Sequence, residues 1–238
     1  MGARKTPRAK SSRNTRKAVT RARSDSGRGT LLWIGATVVV SAALLGAVIV
    51  SLDKTGGDRE SEAGAVTLNS TPATVAVGAD SLPPWSAPSD AAAAMRAAGL
   101  PMMSAEGSVE HIHAHLDVLV DGQAVPVPAD IGVDRSRGGM SALHTHDGNG
   151  VIHVESPARR QFSLGEFFSE WGVSLSADNI GGLRAADGKT VRVFVNGTLR
   201  SGSPAAITFG PRDEIAVVYG IPRPGESIPA KYDFPAGD

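Results

Sequence analysis

The sequence predicts an α+β domain, in which one helix packs across a mostly antiparallel sheet, preceded by a single transmembrane helix. Two hairpin turn signals, Asp121-Gly122 and Asn196-Gly197, each separate short apolar strand-like segments. The strongest amphipathic helix signal, residues 163–172, lies between them. Hairpins on both sides of one helix favour separate helix and sheet layers, and a β-grasp-like arrangement also fits this order.

The N-terminal region has the composition of a membrane anchor. Residues 1–29 contain ten Lys or Arg and one acid, Asp25, so they cannot bury a core and predict a disordered arm. Residues 30–52 carry no charge and are long enough to cross a hydrocarbon layer of about 30 Å. The basic flank predicts a cytoplasmic arm and an extracytoplasmic remainder. A cleaved signal peptide has the same order, but this apolar segment is longer than usual and lacks a clear cleavage site, which favours an uncleaved signal anchor.

Charge and composition restrict the partners of the external part. Of 24 basic and 24 acidic residues, 14 and 23 lie outside the arm, which gives this part a net charge of about −9. Such a surface argues against nucleic-acid binding and attracts cations. The chain has no cysteine, so any metal would be held by histidine, carboxylate or methionine. The expected partners are a metal ion and the lipid bilayer.

The external part divides into a linker and a folded domain. Residues 53–88 are rich in Gly, Ser, Thr, Ala and Pro, which is typical of a linker. Residues 90–232 are predicted to fold. They begin with a short helix near 90–98, which Ser89 or Asp90 can cap and which Gly99-Leu100-Pro101 ends.

The first strand is predicted over residues 111–120. The turn at Asp121-Gly122 fixes the register of the hairpin that follows. The predicted pairs are Val120–Gln123, Val118–Val125 and Leu116–Val127. Pro126 and Pro128 lack N–H groups on the same side of the returning strand, which predicts that it lies at an edge of the sheet.

The central helix has clear start and stop signals. Ser163 and Glu166 form a capping-box pattern, and Gly172 can close the C-terminus. The apolar stripe expected to lie on the sheet consists of Leu164, Phe167, Phe168 and Trp171. Later segments, 191–200 and 213–220, are predicted to form a second hairpin and a further strand.

The histidines are the most informative residues for function. All six lie between His111 and His153. In a strand, alternate side chains share a face, so His111, His113 and His115 point away from the apolar face of the first strand.

The other three histidines converge by the same argument. A hairpin centred on Gly148-Asn149 places His144 opposite His153, whereas a turn at Asn149-Gly150 places His146 there. All three rings share one face in either register, because a shift of two residues preserves the alternation.

Clustered imidazoles at cross-strand spacing predict a transition-metal site. Cβ atoms about 4.5–5.5 Å apart allow two imidazoles to bind one ion. The predicted ligands, at one or two sites, are His111, His113, His115, His144, His146 and His153. Zinc and copper both suit imidazole. Met102 and Met103 are thioether candidates for copper(I), although such a pair is more typical of apolar packing.

Three functions are compatible with this pattern. The first is buffering, sensing or delivery of zinc or copper outside the membrane. The second is a metal-dependent hydrolase or hydratase, with Asp117, Asp147 or Glu155 as a base or as a group that orients a ligand. The third is a metal-free envelope interaction domain. Six imidazoles exceed what an open three-ligand catalytic site uses, which favours a binder over an enzyme.

Three segments also carry a resemblance. They are HIHAHLDVLVDG, LHTHDGNGVIHVESP and SLGEFFSEWGV. This succession resembles a family of uncharacterised bacterial membrane-anchored proteins, over about residues 90–220. The resemblance implies a membrane-anchored protein and brings no established activity.

Overall fold

The computed structural model describes residue 2 and residues 70–235. The predicted basic arm, the membrane segment 30–52 and the first part of the predicted linker lie outside these residues. Within residues 70–235, neither helix has the length and apolar composition needed to cross a membrane.

The described residues form two α-helices, a short 3₁₀ turn and eleven strands. In chain order these are α1 (Ala91–Ala97), β1 (Glu110–Val120), β2 (Gln123–Val125), β3 (Val133–Asp134), β4 (Gly139–Met140), β5 (Leu143–His144), β6 (Val151–Ser156), α2 (Leu164–Trp171), β7 (Asn179–Ile180), β8 (Leu183–Arg184), β9 (Thr190–Val195), β10 (Thr198–Arg200), the 3₁₀ turn (Pro204–Ala206) and β11 (Glu214–Gly220).

Seven strands form the main sheet. Its order is β10-β9-β11-β1-β6-β5, and β2 pairs with the end of β1. The central pair, β1 and β11, is parallel, and the other pairs are antiparallel. The predicted α+β class with a mostly antiparallel sheet is confirmed.

The first hairpin follows the predicted register up to its prolines. Asp121 and Gly122 both have positive φ, as a two-residue hairpin turn requires. Val120 pairs with Gln123 and Val118 with Val125, but β2 ends there and the predicted Leu116–Val127 pair does not form. Pro126 has no N–H with which to continue the ladder.

After β2 leaves the ladder, β6 takes its place beside β1. The Leu116 amide donates to the carbonyl of Gly150, just before β6 begins. The first half of β1, from Glu110 to His115, is therefore free to pair with β6. This change of partner brings the two histidine-containing segments side by side.

Helix α2 has the predicted ends and is buried on every side. Ser163 and Glu166 form both bonds of the capping box, and Gly172 closes the helix with a φ of 76°. All eight residues of α2 are buried. One face packs on the core of the sheet, and α1 also contacts the helix.

The last part of the predicted linker, residues 70–88, packs against α2. Trp85 is buried with its ring edge-on to Trp171, at 5.8 Å between centroids. The Val77 amide donates to the Ser169 hydroxyl at 2.8 Å. The packed unit therefore starts earlier than the predicted boundary at residue 90, because this segment covers a helix face that would otherwise be exposed.

The C-terminal segment covers part of the other face of the sheet. Arg192 on β9 forms an ion pair with Glu226, and Tyr232 stacks on His115. The same face carries the other histidines over β1, β6, β5 and the loop after β5, and among them His111 and His146 are exposed.

Candidate metal centre

The register of three strands places three histidines in one row. His113 on β1 lies opposite His153 on β6, and His153 lies opposite His144 on β5. His111 lies opposite Glu155 in the neighbouring row. The predicted His144–His153 pairing is thus found, and both predicted clusters share one face.

One group of possible metal ligands consists of His144, His146 and His153. One ring nitrogen from each lies within 4.8 Å of the other two. The Nε2 atoms of His144 and His146 are 3.2 Å apart. Metal–nitrogen bonds of about 2.0–2.1 Å at tetrahedral angles place two ligand nitrogens about 3.3 Å apart, so this spacing suits two ligands of one ion.

Hydrogen bonds at the Nδ1 atoms of His144 and His153 orient the rings of this group. His144 donates from Nδ1 to the carbonyl of Ser141 at 3.0 Å, which leaves the lone pair of the neutral ring on Nε2. His153 Nδ1 lies 3.1 Å from Glu155 Oε1 and can donate to it in the same way. Such outer partners fix the tautomer and orientation of histidines that bind metals.

Burial keeps His144 neutral. Its side chain is fully buried, and this desolvation lowers its pKa to about 4, while the charge of Glu155 acts in the opposite direction. For Glu155, burial acts to raise the pKa, but the hydrogen bond from His153 and the nearby histidine charges lower it to about 2. Near neutral pH, His144 is therefore a neutral imidazole and Glu155 is an anionic carboxylate. These are the protonation states that metal binding requires.

A second group lies directly beside the first. His111 and His113 place their Nε2 atoms 3.5 and 3.8 Å from Glu155 Oε1. The rings of His113 and His153 meet edge to face, with centroids 4.4 Å apart. Five imidazoles and one carboxylate thus form a continuous cluster across β1, β6, β5 and the loop after β5.

His115 is separated from this cluster by its own contacts. Its Nδ1 lies 2.7 Å from Glu214 Oε2, its Nε2 donates to the carbonyl of Asn149 at 2.9 Å, and its ring stacks on Tyr232 at 3.8 Å. Burial acts to lower the pKa of His115, but the hydrogen bond and charge of Glu214 raise it overall. Although Asp117 and Glu214 lie close enough to complete a ligand group, both ring nitrogens already have partners, which favours a structural role.

Glu106 is a site residue that the sequence pattern did not indicate. Its Oε1 lies 3.8 Å from His146 Nε2, and it groups with His144 and Glu155. The next residue, Gly107, packs so closely on β6 that an added Cβ would lie 2.0 Å from the Ser156 carbonyl carbon. This close approach places Glu106 near the cluster, and strand periodicity cannot reveal it.

The carboxylates and methionines proposed from the sequence, other than Glu155, lie outside the histidine cluster. Asp117 is 3.9 Å from His115 Nδ1, and Asp147 is exposed in the turn before β6. Met103 pairs through its backbone with Met140 and packs against the core, while Met102 lies over Gly139. These contacts give the two methionines packing roles.

No protein-family profile, curated protein or solved structure matches this chain. The family resemblance stays a prediction, and the functional argument depends on the geometry of the cluster.

Proposed function

We propose that this protein binds a transition metal, zinc or copper, through His144, His146 and His153 for buffering, sensing or delivery. The observation that carries the proposal is the 3.2 Å separation of two imidazole Nε2 atoms with His153 beside them. Hydrogen bonds behind His144 and His153 support it, because they engage Nδ1 of each ring and leave Nε2 to bind an ion.

Glu106 favours a binder over a metal-dependent hydrolase or hydratase. Its carboxylate is exposed and lies 3.8 Å from His146 Nε2. A small shift of this exposed side chain gives three nitrogens and one oxygen around the ion, a filled tetrahedral set that leaves no position for water. A filled site of this kind holds an ion without offering a position for a substrate, which favours binding over catalysis.

The metal proposal is tested by measuring the metal content of the untagged protein after incubation with zinc or copper. His146→Ala removes an exposed ligand, and His153→Ala removes one from the centre of the row. Each should lower affinity at this site by more than the roughly 10–100-fold that loss of an outer partner costs. His115→Gln is the matched control and should retain the metal. Unchanged metal content in folded His146→Ala and His153→Ala would refute the site.

The proposed location is a single-pass membrane protein with a cytoplasmic N-terminus and an extracytoplasmic domain. It is supported by the uncharged segment 30–52 and the ten basic residues before it. A reporter enzyme that works only in an oxidising compartment, fused after Asp238, should be active. Activity only from a cytoplasmic reporter at the same position would reverse this topology.

The fold that accompanies this proposal is β-grasp-like. The parallel pairing of β1 with β11 between two antiparallel neighbours supports it, as does the position of α2 between β6 and β9 in the chain.

A further inference from the structure

His111, His113 and Glu155 form a group of metal donors, none of which is a ligand in the three-histidine site. Their ligand atoms all lie within 4.8 Å of one another. His113 and Glu155 are buried, whereas the His111 side chain is 53% exposed. The group therefore has two fixed donors inside the protein and one at its solvent edge.

We propose that these three residues hold a second metal ion beside the first, so that the protein carries a two-ion centre. This inference rests on the proposed function, since it assumes that His144, His146 and His153 hold an ion. It adds a separate site with its own ligands and a stoichiometry of two.

The donor chemistry selects a divalent ion for the second position. Two imidazoles and one carboxylate suit zinc and copper(II). The chain has no cysteine, and the contacts of Met102 and Met103 are packing contacts, so the group offers no soft sulfur donor that would select copper(I). The ionised Glu155 also offsets part of the charge that a second cation brings into the cluster.

Glu155 connects the two positions. Its Oε1 is 3.5 Å from His111 Nε2 and also 3.1 Å from His153 Nδ1. The same carboxylate is therefore a ligand of the second ion and the outer partner of a ligand of the first. Together with the 4.4 Å contact between the His113 and His153 rings, this places the two ions next to each other.

Each position has one exposed histidine, which gives a matched pair of variants. His111 is 53% exposed and belongs to the second position, and His146 is 42% exposed and belongs to the first. Surface substitutions of this kind change stability little, so both variants should fold. Each variant serves as the control for the other.

The test is titration of the full untagged chain with copper(II), followed by metal analysis and electron paramagnetic resonance. We expect two ions per wild-type chain and one per chain in both His111→Ala and His146→Ala. The wild-type protein with two equivalents should show the half-field transition of closely spaced copper(II) pairs, and both variants should lose it. Circular dichroism confirms that the variants are folded.

Each other outcome has a defined meaning. One ion in the wild type, retained by His111→Ala and lost by His146→Ala, overturns the second position and leaves the proposed function intact. Two ions without the half-field transition, both retained by His111→Ala, place the second ion elsewhere and also overturn the inference. No bound ion in the wild type refutes the proposed function together with the inference.

Discussion

Glu170 on α2 carries a carboxyl group inside the protein, near Gly132. The side chain is fully buried, and neither of its carboxyl oxygens has a hydrogen-bond partner among the described residues. Burial raises its pKa to about 8. The nearby Ser141 hydroxyl offsets only part of this rise, because it donates to the Leu143 carbonyl rather than to Glu170, and the charge of Glu166 adds to the rise. Glu170 is therefore protonated at neutral pH.

The raised pKa of Glu170 predicts a pH-dependent cost to folding. Below pH 4.5, which is the pKa of this group in the unfolded chain, Glu170 is protonated in both the folded and the unfolded state. Its burial then has no pH-dependent effect on the free energy of unfolding. As the pH rises from 4.5 to about 8, only the unfolded chain releases this proton, so the free energy of unfolding falls by about 1.4 kcal/mol per pH unit, or roughly 5 kcal/mol over the window.

Glu170→Gln should remove this dependence. The variant should match the wild type near pH 4.5 and exceed it by about 3 kcal/mol at pH 7, measured by urea denaturation across this range. Comparing the two proteins at each pH cancels the contribution of every other titrating group. A difference between them that stays constant with pH would show that Glu170 does not titrate as proposed.

At the scale of the elements, local signals account for what the sequence predicted well. The capping box at Ser163, the closing Gly172 and the turn at Asp121-Gly122 each depend on residues close together in the chain. Alternation in β1 also predicted which side chains share the histidine face. These features are decided within a few residues, so they can be inferred without knowing the tertiary fold.

The contacts between distant elements could not be inferred in this way. Alternation gives His113 and His153 their faces but does not say that β1 and β6 are neighbours. Nothing in the sequence near His115 indicates that Tyr232 and Glu214 would engage it. Glu106 reaches the cluster through a loop whose path depends on the close packing of Gly107. All three contacts depend on chain segments that are far apart in the sequence.

At the scale of the whole molecule, the two faces of the sheet are covered differently. The apolar face carries α2, and residues 70–88 and α1 cover that helix in turn. On the other face, the C-terminal segment contacts β9 and β1 but leaves the histidine cluster open at His111 and His146. The candidate metal centre therefore lies on the face opposite α2, beside the strands that the C-terminal segment contacts, and reaches solvent at these two histidines.

The packing of residues 70–88 on α2 can be tested with Trp85, which lies in the predicted linker yet belongs to the core. Trp85 is 5% exposed against Trp171, whereas Leu82, three residues earlier, is 66% exposed. In a fragment of residues 70–238, Trp85→Ala should lower the free energy of unfolding by about 3–5 kcal/mol, because it leaves a cavity beside α2. Leu82→Ala is the matched control and should change it by no more than about 0.5 kcal/mol. Urea denaturation of both variants measures the difference; equal, small effects would mean that residues 70–88 are a linker after all and that the domain begins at residue 90.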